Sequence, residues 1–394
     1  MSTTDGSAQS PQWSDLADDL LGMVHLRLAS PRDRLRLTAV CKAWRTAVSR
    51  LPAPPPTPLL LLMPCARLHK TKRLCGPDDC WAMPVPDKAE DKLFVGSHDG
   101  GWVAALDWAD RSALLIVNLF SGAEMVVSPV RSPNPIQTVN FQKVIFSEDP
   151  ASSSCILAAI NHQRSYIALC KVGGHESGWT VEEMHDMSII DISFCNGELY
   201  GLMRLNELYG RKHPNEELIK FKINMKVDGT PIIASRHPLA VERRHGRERS
   251  AGHLFELHGK PSMAIDDCWL PNRRSFYKVF TLVDTDNDMA CKYKWAEILN
   301  FGDHALFFGP YSSKAVHVTV DTHHGWKRNH IYYSIENLWA TNKLPDDAVC
   351  IVTMDNREHM YCREDPSVGD GVERTGYYVT GHNHRPMWLY PPLL

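Results

Sequence analysis

Along the chain the spacing of apolar positions changes once, and the change separates two textures. Between Ser14 and Leu28 the residues Leu16, Leu20, Leu21, Met23, Val24 and Leu28 recur three and four apart, the interval that aligns side chains along one side of a helix. A second helix is predicted from Ser30, which can cap it, with Pro31 at the first helical position and Asp33 completing an S-x-x-D arrangement. Its apolar residues Leu37, Val40, Cys41, Trp44 and Val48 share a face opposite Arg34, Lys42 and Arg45. Leu51 to Pro58 (LPAPPPTP) cannot continue a helix and reads as a short, stiff spacer.

From Leu59 onward the chain consists of short strand-like runs separated by turn residues. Leu114 to Phe120, a Ser121-Gly122 turn and Ala123 to Val127 predict one hairpin. Ser188 to Phe194, the turn Cys195-Asn196-Gly197-Glu198 and Leu199 to Met203 predict another. Further strands are expected at Leu218 to Met225, Phe276 to Val283, Ala305 to Gly309, Ala315 to Val320, Ile331 to Ser334 and Val349 to Met354. A glycine opens several of them, as in Gly100-Gly101-Trp102-Val103, Gly197-Glu198-Leu199-Tyr200, Gly259 to Met263 and Gly302 to Leu306, at irregular spacing. At roughly 40 to 50 residues per four-stranded blade, Leu59 to Leu394 would make about seven blades. The expected fold is therefore mainly β: a small N-terminal helical domain followed by a degenerate β-propeller of about six to eight blades. A large β-sandwich array would give similar local texture. The expected organisation is a disordered leader over 1–12, a helical domain over 13–50, a proline-rich linker over 51–58 and the β domain over 59–394.

Charge narrows the range of functions. Lys and Arg number 43 against 46 Asp and Glu, a net charge of −3, without the basic excess of a dedicated nucleic-acid or membrane-surface binder. With 43% hydrophobic and 23% charged residues the chain can bury a substantial core. There is no basic segment followed by an apolar stretch at the N-terminus, and the longest aliphatic run, Leu59 to Met63, is far short of a membrane span. The expectation is a soluble protein of the cytoplasm, the nucleus or both. Its 11 cysteines are expected to be mostly reduced, buried thiols.

Candidate chemistry is sparse. Cys65, His69, Cys75 and Cys80 lie close together, but their intervals fit zinc ligation poorly, and core cysteines with a surface histidine account for them better. His323, His324 and His330, and His382 with His384, are read as loop histidines, although His382 and His384 would share a face on a strand. Asp266-Asp267 and Asp346-Asp347 read as solvated turn carboxylates. The arginines 243, 244, 247 and 249 read as an exposed loop interrupted by glutamates, and Trp102, Trp108, Trp179, Trp269, Trp295 and Trp326 mostly as packing between blades. No G-x-S-x-G elbow, P-loop, G-x-G-x-x-G after a strand or H-E-x-x-H helix is present. No catalytic, cofactor-binding or metal-binding residue is assigned.

Trp13-Ser14-Asp15-Leu16, Leu20-Leu21, Arg27-Leu28, Asp33-Arg34 and Val40-Cys41-Lys42-Ala43-Trp44-Arg45 together resemble the F-box, whose usual ending is V-C-x-x-W-R. Ala17 stands where that family usually has proline. His98 to Asp107 (HDGGWVAALD), Leu114 to Pro129, Lys294 to Ser313 and Arg328 to Asn337 resemble the KIB-type β-propeller domain of plant F-box proteins, long described only as a domain of unknown function. Residues 210 to 260 carry no such likeness. The resemblance implies a non-catalytic substrate-recognition adaptor of a Skp–cullin–F-box ubiquitin ligase. The helices would hold a Skp-type adaptor, and through it cullin, while the propeller holds a protein substrate. It implies adaptor contacts at Trp13, Leu16, Leu20, Leu21, Val24, Leu28, Leu35, Val40, Cys41, Trp44 and Arg45, and no cofactor, nucleic acid or membrane partner. Independently, Trp13 to Arg50 is shorter than the roughly 40 residues below which a domain rarely folds without a disulfide, metal or partner. Two other readings stay open at this point: a propeller-type metal-dependent hydrolase, and an F-box-containing binding protein that does not assemble with cullin.

Overall fold

The computed structural model describes residues 13, 16–27, 36–50, 58–64, 72–77, 80–107, 114–127, 140–173, 178–185, 187–205, 216–242, 252–266, 277–285, 291–318, 326–334, 349–354, 359–365, 369–379 and 384–391. The chain divides into two compact units. One comprises Met1–Thr57 with Thr319–Trp326 and Leu393–Leu394, the other Pro58–Val318 with Lys327–Pro392.

In the smaller unit, helix α1 spans Asp18–Arg27, with Asp18 and Asp19 in its first turn, where acidic side chains suit the positive end of the helix dipole. Its first turn is closed by the Leu21 N–H donating to the Ala17 carbonyl at 3.0 Å. The second helix departs from expectation, because it is interrupted. Residues 36–39 are helical, the chain breaks at Val40, and helix α2 restarts at Lys42 and ends at Ser49. Cys41 is extended (φ −158°, ψ 171°), and its sulfur accepts the Trp44 N–H at 3.4 Å, a cap that starts a new helix instead of continuing the old one. The break turns Val40 outward while Leu37, Ala47 and Val48 join Leu21 in a small core, with Leu16 and Trp44 packed against it. The capping residues Ser30, Pro31 and Asp33, the leader and the spacer up to Thr57 lie outside the described residues.

The larger unit is a β-propeller. Blade 1 has strands Leu59–Pro64, Lys72–Cys75 and Cys80–Met83, with His384–Leu389 as its innermost strand. Blade 2 has Lys92–His98, Trp102–Asp107, Leu114–Asn118 and Glu124–Val126; blade 3 has Phe141–Phe146, Ile156–Asn161, Tyr166–Lys171 and Thr180–Glu183. Blade 4 follows with Met187–Cys195, Glu198–Leu205, Glu216–Met225 and Pro231–Pro238, and blade 5 with Gly252–Leu257, Lys260–Asp266, Tyr277–Asp284 and Tyr293–Glu297. All five are antiparallel meanders of four strands. The sixth sheet has six strands, ordered Ser313–His317, His304–Phe308, His330–Ser334, Glu373–Val379, His359–Glu364 and Val349–Met354. Within it, His304–Phe308, His330–Ser334 and Glu373–Val379 run parallel.

Apolar clusters fill the spaces between successive sheets. Phe94, Val103, Ile116 and Val144 belong to the largest, across blades 1 to 3; Ile167, Ile192 and Phe221 lie between blades 3 and 4; Phe255, Phe308 and Tyr333 lie between blade 5 and the sixth sheet. Sheets stacked face to face bury both sides of their central strands, which is why runs such as Leu114 to Val117 are continuously apolar instead of alternating. The sixth sheet is tied to blade 5 by Arg374, whose Nε donates to the Tyr277 carbonyl at 3.0 Å while the guanidinium pairs with Asp370 at 2.6 Å. Toward blade 1, the Ser312 hydroxyl donates to the Trp388 carbonyl at 3.1 Å and the Tyr361 hydroxyl to the Gly76 carbonyl at 3.2 Å. The ring is thus closed, with its first and last strands sharing one sheet.

One cysteine expectation is corrected. Cys75 and Cys80 are not thiols but a disulfide, because they face each other across the hairpin of blade 1 with Cα atoms 4.1 Å apart. Cys155, Cys170, Cys195 and Cys362 are free and buried, as expected.

Candidate functional site

On the helical unit, one helix serves two faces. Leu21, 1% exposed, and His25 point into the core, whereas Leu20, Met23 and Val24, three and four apart, form an exposed apolar stripe on the other side. Trp13 (77% exposed) and Val40 (58%) add further exposed apolar surface in this unit. Of the residues assigned to adaptor contact, Trp13, Leu20, Val24, Val40 and Arg45 are exposed. Leu21 lies in the core, Leu16 and Trp44 pack against it, and Cys41 caps α2. Arg45 is held by its Nε donating to the Thr38 carbonyl at 3.2 Å. Leu28 and Leu35 lie outside the described residues.

In the propeller, the innermost strands enclose a cavity of about 360 Å³. Blade 3 contributes Lys143, Phe146 and Ser147, blade 4 contributes Ser193 and Phe194, and blade 5 contributes Leu254 and Glu256. His98 ends the innermost strand of blade 2 and Asp99 follows it, and Lys314 and Tyr390 complete the wall.

The floor holds a charge pair. Lys143, its side chain 5% exposed, donates from Nζ to Asp191 Oδ1 at 2.6 Å. Both Asp191 oxygens are engaged, since Oδ1 also accepts the Ile192 N–H at 2.9 Å and Oδ2 the Leu254 N–H at 2.8 Å, which ties blades 3, 4 and 5 together at the axis. An ammonium has three N–H donors, and Asp191 is the acceptor for one; among the described residues nothing takes the other two. Beside the pair, His253 packs against the rings of Phe308 and Tyr277 with Nδ1 3.0 Å from the Ser313 hydroxyl. Burial pushes its imidazole down to about 4 despite the nearby Asp191 carboxylate, so it is neutral at pH 7.

At the rim, Lys314 ion-pairs with Asp99, and its ammonium lies 5.2 Å from the centre of the Tyr390 ring. Burial holds His98 below its ordinary value, against the opposing pull of Asp99, and pushes the Tyr390 phenol upward. Glu256 is exposed. Its Oε2 accepts the Asn196 N–H at 2.8 Å, and its other oxygen has no partner among the described residues.

Sequence reasoning did not single out Lys143, Asp191 or Glu256. The available signal was one charged residue within each of two apolar strands, FQKVIF and SIIDISF. The remaining candidates do not converge. His330 is buried, with Nε2 2.8 Å from the Thr375 hydroxyl. Cys65, His69, His323, His324, His382, Asp267, Asp346, Asp347, the four arginines from 243 to 249, Trp108 and Trp269 lie outside the described residues, as does the side chain of His384. Trp102 and Trp179 are buried between blades. Burial raises the thiols of Cys155, Cys170 and Cys195 to about 11, 12 and 12, so none is a ready thiolate. Among the described residues no group of three His, Cys, Asp or Glu is placed to share a metal ion, and no helix is long and apolar enough to cross a membrane.

A family model described as KIB1-4 beta-propeller matches residues 73–366. The putative F-box protein At3g25750 of Arabidopsis thaliana is 22% identical over 348 residues, covering 83% of this chain and 88% of that protein. F-box protein At2g26160 of the same plant is 23% identical over 357 residues, 82% of this chain and 96% of that protein. The F-box/kelch-repeat protein At1g57790, also from Arabidopsis thaliana, is 24% identical over 215 residues, 53% of this chain and 58% of that protein.

Proposed function

The chain belongs to the KIB1-4 β-propeller family, and from that premise we propose that it is the substrate-recognition subunit of a Skp–cullin–F-box ubiquitin ligase. Residues 13–50 are the F-box, 51–58 the linker and 59–394 the substrate-binding propeller, acting in the cytoplasm, the nucleus or both. The observation that carries this reading is the apolar stripe of Leu20, Met23 and Val24 on a helical unit whose core, among the described residues, is only a few side chains. A helix that leaves an i, i+3, i+4 apolar row exposed is completed by a partner helix surface, and relatives matched over most of their length are named F-box proteins.

The mechanism is proximity. A subunit that holds an adaptor on one unit and a substrate on the other raises the concentration of substrate lysines near the ubiquitin-carrying thioester, which sits on another protein. The role asks for binding surfaces and for no nucleophile in this chain.

Co-purification of the full chain with a plant Skp-type adaptor tests it, against a Leu20→Asp, Val24→Asp variant. Both positions are on the exposed side of α1, so the variant keeps the core of Leu21, Leu37, Ala47 and Val48. The expected result is a one-to-one complex for the wild type and at least a tenfold loss for the variant, with circular dichroism unchanged. A folded wild type that captures no adaptor overturns the proposal.

A further inference from the structure

The axial cavity offers hydrogen-bond donors at its floor and an acceptor at its rim, with apolar walls between them. The donors are the two N–H groups of Lys143 that Asp191 leaves unused, on a side chain 5% exposed. The acceptor is the second carboxylate oxygen of Glu256. Ile145, Phe146, Ile192 and Phe194 line the wall. The Ser193 hydroxyl, which donates to the Phe194 carbonyl at 3.3 Å and accepts from the Cys195 thiol at 4.0 Å, keeps one lone pair to accept.

Charge decides what kind of group fits. Lys143 is neutralised by Asp191 and Lys314 by Asp99, so an incoming anion meets no uncompensated positive charge and loses its hydration. An apolar tip would leave the ammonium donors without acceptors. A primary amide meets both requirements: its carbonyl accepts from Lys143, its NH2 donates to a serine hydroxyl, and it carries no charge. The rim has the opposite bias, because among the described residues no cation pairs with Glu256, which favours one. The volume, about 360 Å³, is at the small end of ligand pockets and suits one or two side chains.

We infer that the cavity at the propeller axis receives an asparagine or glutamine side chain of the partner protein, seated on Lys143, with a lysine or arginine beside it against Glu256. The inference rests on reading the chain as a substrate-recognition subunit and names the kind of segment that it would recognise.

The test is a library of acetylated, amidated heptapeptides presented to the purified full chain and read by fluorescence polarisation. The central residue is fixed as Gln, Asn, Glu, Leu or Lys, and the flanking residues as Arg, Ala or Glu. Gln or Asn beside Arg should bind about five- to tenfold better than Leu or Glu at the centre. Changing Lys143→Met together with Asp191→Asn removes the pair without stranding a buried charge, at the loss of one of the two backbone N–H bonds that Asp191 accepts, and should abolish the central preference while leaving the flank preference. Glu256→Gln keeps an acceptor for the Asn196 N–H and should remove only the preference for Arg. A strongest response to central Glu, an unchanged preference in the Lys143→Met, Asp191→Asn variant with its β-sheet signal intact, or the same response from every peptide overturns the inference. Adaptor capture is scored separately: capture with no peptide preference defeats this inference alone, and peptide preference without capture defeats the ligase reading alone.

Discussion

Leu20 and Leu21 are the same residue one position apart, yet one is exposed and the other is core. The spacing of apolar residues showed that α1 has much to bury. It did not divide that surface into a buried half and an exposed half, because Leu20, Leu21, Met23 and Val24 read as one apolar cluster until Leu37 and Val48 are in place. The histidines carry a prediction at this scale. His253 faces Asp191, Lys143 and Arg164, and His330 faces Glu373, Lys327 and Asp365; burial lowers both to about 4 from an ordinary value of 6.5. In the unfolded chain each takes up a proton near pH 6.5, whereas in the fold neither does so until about pH 4. Their contribution is therefore complete above pH 6.5 and is lost as pH falls from 6.5 toward 4, by up to about 1.4 kcal/mol per pH unit for each histidine. Urea midpoints measured at intervals from pH 7.5 to 4.5 should decline through that window. His253→Phe, among Phe308 and Tyr277, should make the decline shallower.

At the scale of elements, the hairpins were the most legible part. The predicted turns at 121–122 and 196–197 connect the strands expected of them, with Asn196 at φ 50° and Gly197 at φ 74° supplying the left-handed pair that a two-residue hairpin turn requires. The irregular glycine motif has a structural meaning: Gly101, Gly197 and Gly259 each precede the second strand of a blade with positive φ. Features set by distant residues were not legible. Gly96 lies within an apolar strand with nothing local to distinguish it, but a Cβ there would stand 1.9 Å from the Val144 carbonyl oxygen on the next blade. Gly96→Ala must push two innermost strands apart beside Lys143. It should cost several kcal/mol in chemical denaturation, whereas Gly122→Ala, in open space at φ 72°, should cost about 1 kcal/mol. The Lys143–Asp191 pair has the same origin, since its members lie on different blades and meet only when the ring forms. The break at Cys41 was missed because capping by a sulfur has no pattern in the apolar spacing.

For the molecule as a whole, uniform division of the β region into blades implies equal portions, and the last portion is unequal. His304 to Val379 holds six strands, three of them running parallel, so the strands form five four-stranded blades and one larger sheet among the described residues. What no local pattern shows is that His384–Leu389 pairs with Leu59–Pro64, joining two segments from opposite ends of the propeller. Removing residues 384 to 394 takes away the innermost strand of blade 1 and the buried Trp388 with it. Melting curves of the truncated chain should lose their single cooperative transition and show dye-accessible apolar surface at 25 °C, whereas the full chain should show neither change.

Because the closing strand comes last in chain order among the described strands, a ribosome releases it after the other strands of the ring. During synthesis the helical segment therefore emerges long before the propeller can shut. A chain halted early by a nonsense codon or a stalled ribosome would carry the helices and an open, sticky sheet. Under the proposed function such a fragment would compete for the adaptor with no substrate to offer, which makes prompt degradation of unfinished chains a requirement for keeping the remaining ligases supplied.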